Sequence, residues 1–312
     1  MEIIKNIESV KNIKSCVITL GSFDGLHLGH LKILKKTISI SKKYNIPSVL
    51  LTFNPHPKEI LEPDNKDGFL LTSLKDKCPL ISTMDISYLF IIPFNKNFSK
   101  ITANNFLNNI LKQKFNPKAI VIGYNHHFGF NRDGNPDFLK NYCELNKINL
   151  NIVGPEKINH VLISSTYIRN LIKNGKVKIV KNFLGRFYGF DVLVKKGSGR
   201  GAKLGFPTAN LVPIEKKQQM PGTGVYFVKV RFIGLKLYGM CNFGIRPTFK
   251  EEDIIMEAHI FHKFDIDLYG KKIRIEFLDK IREEIKFNSP NELRNQLMND
   301  KEICLTLKKN YK

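Results

Sequence analysis

Between Val17 and Ile122 the chain alternates short, almost wholly apolar runs with longer stretches of helical period, and few folds accommodate that alternation. The runs are Val17–Leu20, Ser48–Phe53, Tyr88–Ile92 and Ala119–Ile122. Each is apolar on both faces that a strand presents, as strands buried in a parallel sheet are. Between them, His30–Lys43 spaces Leu31, Ile33, Leu34, Ile38 and Ile40 at helical intervals, and Thr102–Gln113 opens on a residue that caps. The pattern predicts an open α/β fold around a parallel sheet, ending near Leu184.

From Phe187 onward the period changes. Strand-like runs broken by Gly and Pro follow at Tyr188–Val194, Gly224–Phe232, Leu235–Asn242, Ile254–Phe261 and Lys272–Phe277. They predict a small, mostly antiparallel barrel or sandwich. Ser289, Pro290 and Glu292 then supply a cap, a first helical residue and a third-position acid for a terminal helix through Met298. A length of 312 residues suits two cores, divided here as 1–184 and 185–312.

Charge asks for an explanation: 50 Lys and Arg against 28 Asp and Glu give a net +22. A polyanion-binding role would favour Arg, whose planar fork fits phosphate, yet only 9 of the 50 are Arg. The lysines are also spread along the whole chain, so a solvated surface accounts for them and no nucleic-acid partner is expected. Cys16, Cys78, Cys143, Cys241 and Cys304 show no metal-like spacing and read as reduced, mostly buried thiols. No apolar run reaches about 18 residues and the start lacks a secretory pattern, so the expectation is a cytoplasmic chain without a membrane span. A weak homo-oligomer is compatible with all of this.

Two loops carry the chemistry. Gly21-Ser22-Phe23-Asp24-Gly25-Leu26-His27-Leu28-Gly29-His30 leaves the first strand and enters the first helix. In open α/β sheets a helix N-terminus at that place offers N–H groups to an anion, and the glycines let a ligand come close. His27 and His30, three apart, share one helix face. They suit a phosphate; a metal pair would need a third ligand that the spacing does not show. Further on, Gly197-Ser198-Gly199-Arg200-Gly201-Ala202-Lys203-Leu204-Gly205 is either a flexible turn or a phosphate-wrapping loop, and it lacks the Gly-Lys-Ser/Thr ending of a Walker loop. Thr208 and Asn210, two apart in an extended segment, face one way and can both meet a hard cation such as Mg²⁺.

His27-Leu28-Gly29-His30 resembles the His-x-Gly-His signature of nucleotidylyltransferases, and Ile163-Ser164-Ser165-Thr166-Tyr167-Ile168-Arg169 resembles their second signature. Thr52-Phe53-Asn54-Pro55-His56-Pro57 and the run from Gly123 to Asn135 are similar to flavin-specific adenylyltransferases. Gly205-Phe206-Pro207-Thr208-Ala209-Asn210 is similar to the riboflavin kinase signature, and the match continues through Pro221–Tyr226, Cys241–Thr248 and Asp267–Gly270. Together these resemble the bacterial bifunctional riboflavin kinase/FMN adenylyltransferase family over nearly the whole chain.

The resemblance implies a Rossmann-like α/β nucleotidylyltransferase domain followed by a β-barrel kinase domain with a C-terminal helix. It implies phosphorylation of riboflavin to FMN by ATP, then adenylylation of FMN to FAD, with riboflavin, FMN and ATP as partners and Mg²⁺ as cofactor. His27, His30 and Arg169 become the adenylylation residues, and Glu257 the kinase base. Gly21, Phe23, Gly25, Gly29, Ser164, Ser165, Thr166, Gly199, Lys203, Gly205 and Pro207 would bind ATP, and Asn54, Asn125 and Phe128 the flavin. Thr208 and Asn210 would hold the metal. On residues alone Phe128 reads first as a packing aromatic and only second as a flavin platform, and Glu257 reads as an ordinary surface charge. The chain departs from the family at His127, where Arg is usual, which leaves a kinase with an inactive first half as the alternative; a basic nucleic-acid-binding protein is a more distant one.

Overall fold

A computed structural model describes residues 1–5, 13–65, 68–196, 200–247, 252–262 and 268–311. It forms two compact units, Met1–Ser165 and Thr166–Lys312. The first holds strands β1 (Glu2–Ile4), β2 (Cys16–Leu20), β3 (Ser48–Asn54), β4 (Tyr88–Pro93), β5 (Pro117–Gly123) and β6 (Asn149–Val153). They make one parallel sheet in the order β1-β4-β3-β2-β5-β6. The four expected strands are its centre. The edge strands β1 and β6 escaped the sequence reading because one is short and the other, Asn-Leu-Asn-Ile-Val, is half polar.

Alternation sorts the core. Ile18, Leu20, Val49, Leu51, Phe90, Ile92, Ile120 and Ile122 pack on one face, and Val17, Leu50, Leu89, Ile91, Ala119 and Val121 on the other. Helices α1 (Leu28–Tyr44) and α3 (Leu74–Ser82) cover the second face, with the short α2 (Pro57–Leu61) between them in sequence. The first face is covered by the helix after Thr102 and by α5 (Pro136–Leu145). Thr102 caps as expected, but only Ala103–Asn105 (α4) is α-helical. Phe106–Phe115 is a π-helix, whose wider turn buries Leu107, Leu111 and Phe115 at intervals of four. Because β3 and β5 lie on opposite sides of β2, the order reverses there, and the ends of these strands form the switch-point crevice where α/β sheets bind ligands. A hairpin, β7 (Lys157–Ile158) and β8 (Val161–Leu162), leads to α6 (Ser165–Lys173).

In the second unit α6 and α7 (Val177–Leu184) precede a closed barrel. Its strands are β9 (Tyr188–Lys195), β10 (Ala209–Pro213), β11 (Gly224–Phe232), β12 (Leu235–Pro247), β13 (Glu252–Ile260) and β14 (Lys272–Arg282), in the order β10-β13-β12-β11-β14-β9. All its neighbours are antiparallel. Tyr188, Phe190, Tyr226 and Phe277 fill the inside ring against ring. Val225, Phe227, Met240 and Leu278 face outward, where α9 (Pro290–Lys308) lays Leu297 and Cys304 on them. Ser289 caps α9 through its hydroxyl, and Pro290 opens it, as its sequence predicts. Four of the five cysteines are buried and none is in a disulfide; burial pushes the Cys16 thiol up to about 12, which makes it unreactive.

Candidate active sites

The loop from Gly21 to His27 joins the central strand β2 to α1. Phe23 (φ 46°), Gly25 (φ 89°) and Leu26 (φ 40°) take left-handed backbone, a sharp bend for which only Gly25 is conformationally suited. His27 is the cap of α1: its Nδ1 accepts from the His30 amide at 3.2 Å. The two imidazoles stack with centroids 3.6 Å apart and planes 16° from parallel, and the Phe23 ring meets His30 edge-on at 5.2 Å. A side chain at Gly29 would lie 3.2 Å from the His27 ring, so its hydrogen keeps that stack open. Of the second motif, Ser165 opens α6 and donates from Oγ to the Asp24 carbonyl at 2.9 Å, which ties Ser165 to this loop. Ser164 precedes it, Thr166 is exposed, and Arg169 lies four residues beyond Ser165 on the same helix face.

Asn54 ends β3 and Asn125 follows β5, both exposed, so they stand on either side of the strand that carries Gly21. Phe128 is half-buried between the Phe106 ring at 5.8 Å and the stacked His126 ring at 5.7 Å. His127 is exposed. His126 is the one with an unusual environment: its Nε2 is buried without a hydrogen-bond partner among the described residues, and burial, helped by His127, holds its pKa down at about 4. The unfolded chain then binds more protons than the folded one between about pH 6.5 and 4. Stability of the α/β half should therefore fall as pH drops through that window. His126→Phe keeps the stack and cannot titrate, so urea midpoints recorded across that range should lose most of their slope; an unchanged slope would put the titration elsewhere.

In the barrel, strand register assembles the site. Asn210 on β10 faces Glu257 on β13, Glu257 faces Asn242 on β12, Asn242 faces Val225 on β11, and Val225 faces Arg282 on β14. Directly opposed residues share a sheet face, so this row crosses five strands on the outer side of the barrel. A cavity of about 340 Å³ opens on it, lined by Thr208, Asn242, Glu257, His259 and Arg282, with Leu293 and Leu297 of α9 opposite. Thr208 Oγ1 lies 3.5 Å from Glu257 Oε2. Buried His259 shares its face with Glu257, and its Nδ1 sits 2.8 Å from the Pro207 carbonyl, so that side chain holds the Pro207–Asn210 segment against β13. Burial lowers the pKa of His259 despite that contact, and the nearby Lys301 adds to the lowering.

Gly201, in the four-residue helix α8 (Arg200–Lys203), packs so closely that an added side chain would lie 2.3 Å from the Phe206 carbonyl. Gly205 turns left-handed at φ 85° with open space around it. Gly199 and the Lys203 side chain lie outside the described residues. Among the described residues no cluster of His, Cys, Asp or Glu could hold a metal by itself. Thr208, Asn210 and Glu257 nevertheless present hard oxygen donors at one place, the donor type suited to a cation that ATP phosphates also hold. Sequence reasoning missed Asn242, His259 and Arg282, whose period-2 positions gave a face but no partner. It also passed over Asp24 and Lys77 behind the first loop.

An anion-ready loop at a parallel-sheet switch point and a carboxylate-centred barrel site define a two-domain enzyme that works on nucleotide phosphates. A family model described as FAD synthetase matches residues 9–167, and one described as riboflavin kinase matches residues 184–307. The chain belongs to the bifunctional riboflavin kinase/FMN adenylyltransferase family. Relatives of that description are 37% identical in Buchnera aphidicola subsp. Schizaphis graminum, over 97% of both chains, and 32% identical in Escherichia coli strain K12, over 96% of both. A solved Streptococcus pneumoniae chain, described as a macrolide-efflux protein, is similar with a TM-score of 0.86 and 33% identity over 97% of each chain. Among the described residues here, no helix is long and apolar enough to cross a membrane.

Proposed function

We propose that residues 185–312 phosphorylate riboflavin and residues 1–184 adenylylate the product. In the barrel, Glu257 takes the proton of the ribityl 5′-hydroxyl as that oxygen attacks the γ-phosphorus of ATP; the bond to the bridging oxygen breaks and ADP leaves. Gly199, Lys203, Gly205 and Pro207 take part in binding the ATP phosphates. Thr208 and Asn210 would hold Mg²⁺, which supplies charge neutralisation on the phosphates. The observation that carries this reading is Glu257 set between Asn210 and Asn242 on one row, beside Thr208 at the edge of the cavity.

In the α/β half, a phosphate oxygen of FMN attacks the α-phosphorus of a second ATP and pyrophosphate leaves. His27, His30, Ser164 and Arg169 stabilise the charge that builds on the phosphates, while Gly21, Phe23, Gly25, Gly29, Ser165 and Thr166 shape the cradle. Asn54, Asn125 and Phe128 meet the flavin. Both reactions consume ATP, which fits a cytoplasmic enzyme. Chromatography of the flavins formed from riboflavin, ATP and Mg²⁺ tests the whole scheme: FMN should appear first and FAD after it. FMN that is never converted would favour the second reading, a kinase alone, which rests on His127 standing exposed where the family resemblance leads one to expect Arg. A product mixture with no phosphorylated flavin would overturn both.

A further inference from the structure

A loop that cradles an anion with its amide N–H groups must turn its carbonyl oxygens away, because a carbonyl facing the phosphates would repel them. Those carbonyls then need donors behind the loop. The Gly21–His27 loop has them. The Ser22 carbonyl accepts from Lys77 Nζ at 2.6 Å and from Thr52 Oγ1 at 3.3 Å. The Asp24 carbonyl accepts from Ser165. Asp24 itself points backward: its carboxylate, 1% exposed, accepts from the amides of Leu71, at 3.0 and 3.2 Å, and Thr72, at 3.1 Å.

Lys77 is the unusual member. It sits on α3, is only 3% exposed, and no reactive step above uses it. A buried ammonium is costly unless paired. Burial pulls its pKa below the ordinary lysine range while the Asp24 carboxylate works to keep it charged. A lysine in the first turns of a surface-type helix reads as solvated charge in the sequence; here the chain buries it against the loop that leads into the His27–His30 stack.

We propose that Lys77 is a positioning residue for adenylyl transfer: its ammonium holds the Ser22 carbonyl behind the loop, so that the His27–His30 stack at the start of α1 faces the triphosphate. The inference rests on the reading of Gly21–His30 as the phosphate loop. Loss of that hold would weaken ATP binding and transition-state stabilisation at this site and leave the barrel site untouched.

The test uses the full chain with two assays on the same preparation: FAD from added FMN and ATP, and FMN from riboflavin and ATP. Lys77→Met should lower kcat/KM for ATP in adenylylation about a hundredfold, with at least about tenfold of it in KM, and leave kinase activity within about twofold. Lys77→Arg, which can still reach Ser22 with a charge, should recover most of the loss. If Lys77→Met unfolds the α/β half, seen as a lost unfolding transition, Thr52→Val serves instead. It removes the weaker donor to the same carbonyl and should raise KM for ATP about two- to fivefold with the transition kept. Unchanged ATP kinetics in folded Lys77→Met, or in Thr52→Val where that variant replaces it, would overturn the inference. His27→Ala separates the two levels: if it abolishes FAD formation while Lys77→Met does nothing, only the Lys77 role fails, and if it too leaves FAD formation intact, the phosphate-loop reading falls with it.

Discussion

With riboflavin and ATP, the Glu257→Gln protein should form FMN about 10²- to 10⁴-fold more slowly than the unaltered chain, the range that a positioned general base contributes. Added FMN should still become FAD at the normal rate. The substitution is chosen for its size: the amide fills the same space between Asn210 and Asn242 and still presents an oxygen to the Thr208 hydroxyl. What it cannot do is accept the 5′-hydroxyl proton. Packing is therefore nearly conserved while the chemistry is removed, and an intact unfolding transition would document that. The effect should fall on kcat more than on either KM, because the proton moves only in the transition state. Kinase turnover above about a tenth of normal would show that another group takes the proton, and Glu257 would then be one more polar residue of the row.

Legibility differed between the two halves for a physical reason. The first site is local: strand, glycine turn, histidine cap and helix follow one another within a single run, so position and residue type could be read together. The second is assembled by register. Asn210, Glu257, Asn242 and Arg282 are far apart in sequence and meet only because the barrel closes with those residues opposite one another. Antiparallel pairing over long separations leaves a period of two in the sequence and no sign of which residue faces which. For the same reason the sequence shows only a short extended segment around Thr208 and Asn210, where the Ala209–Pro213 backbone of β10 closes the barrel against β9 and β13. Buried polar residues were the least visible of all. Lys77 and Asp300 both occur in helices whose other polar residues meet water, and nothing in composition or spacing separates a charged residue that is buried from one that is not.

Asp300→Ala should cost the barrel unit about 3–5 kcal/mol, the usual effect of removing one partner of a buried ion pair. Asp300 has no exposed surface and accepts from Arg282 Nε at 2.9 Å, Arg282 Nη2 at 2.8 Å and Gln296 Nε2 at 2.9 Å. Arg282 ends β14 on the same row as Glu257 and lines the cavity, and its third nitrogen donates to the Glu283 carbonyl at 3.0 Å. The fork of Arg282 is thus directed at one carboxylate on α9, and this pair fastens the helix that supplies Leu293 and Leu297 to the cavity wall. Alanine leaves the guanidinium with no counter-charge, and the desolvation that the pair offset is then uncompensated. Kinase activity should fall with the loss of α9 docking, while adenylylation of added FMN reports on the other half as an internal control. Denaturant unfolding followed by circular dichroism gives the stability change directly, and a loss below about 1 kcal/mol would mean the pair is worth no more than an exposed one. The double variant Arg282→Met/Asp300→Leu sharpens the argument. If the penalty comes from an orphaned charge, replacing both partners with apolar groups should recover most of the stability but not the kinase activity, because α9 would be held again while the cavity had lost its cation.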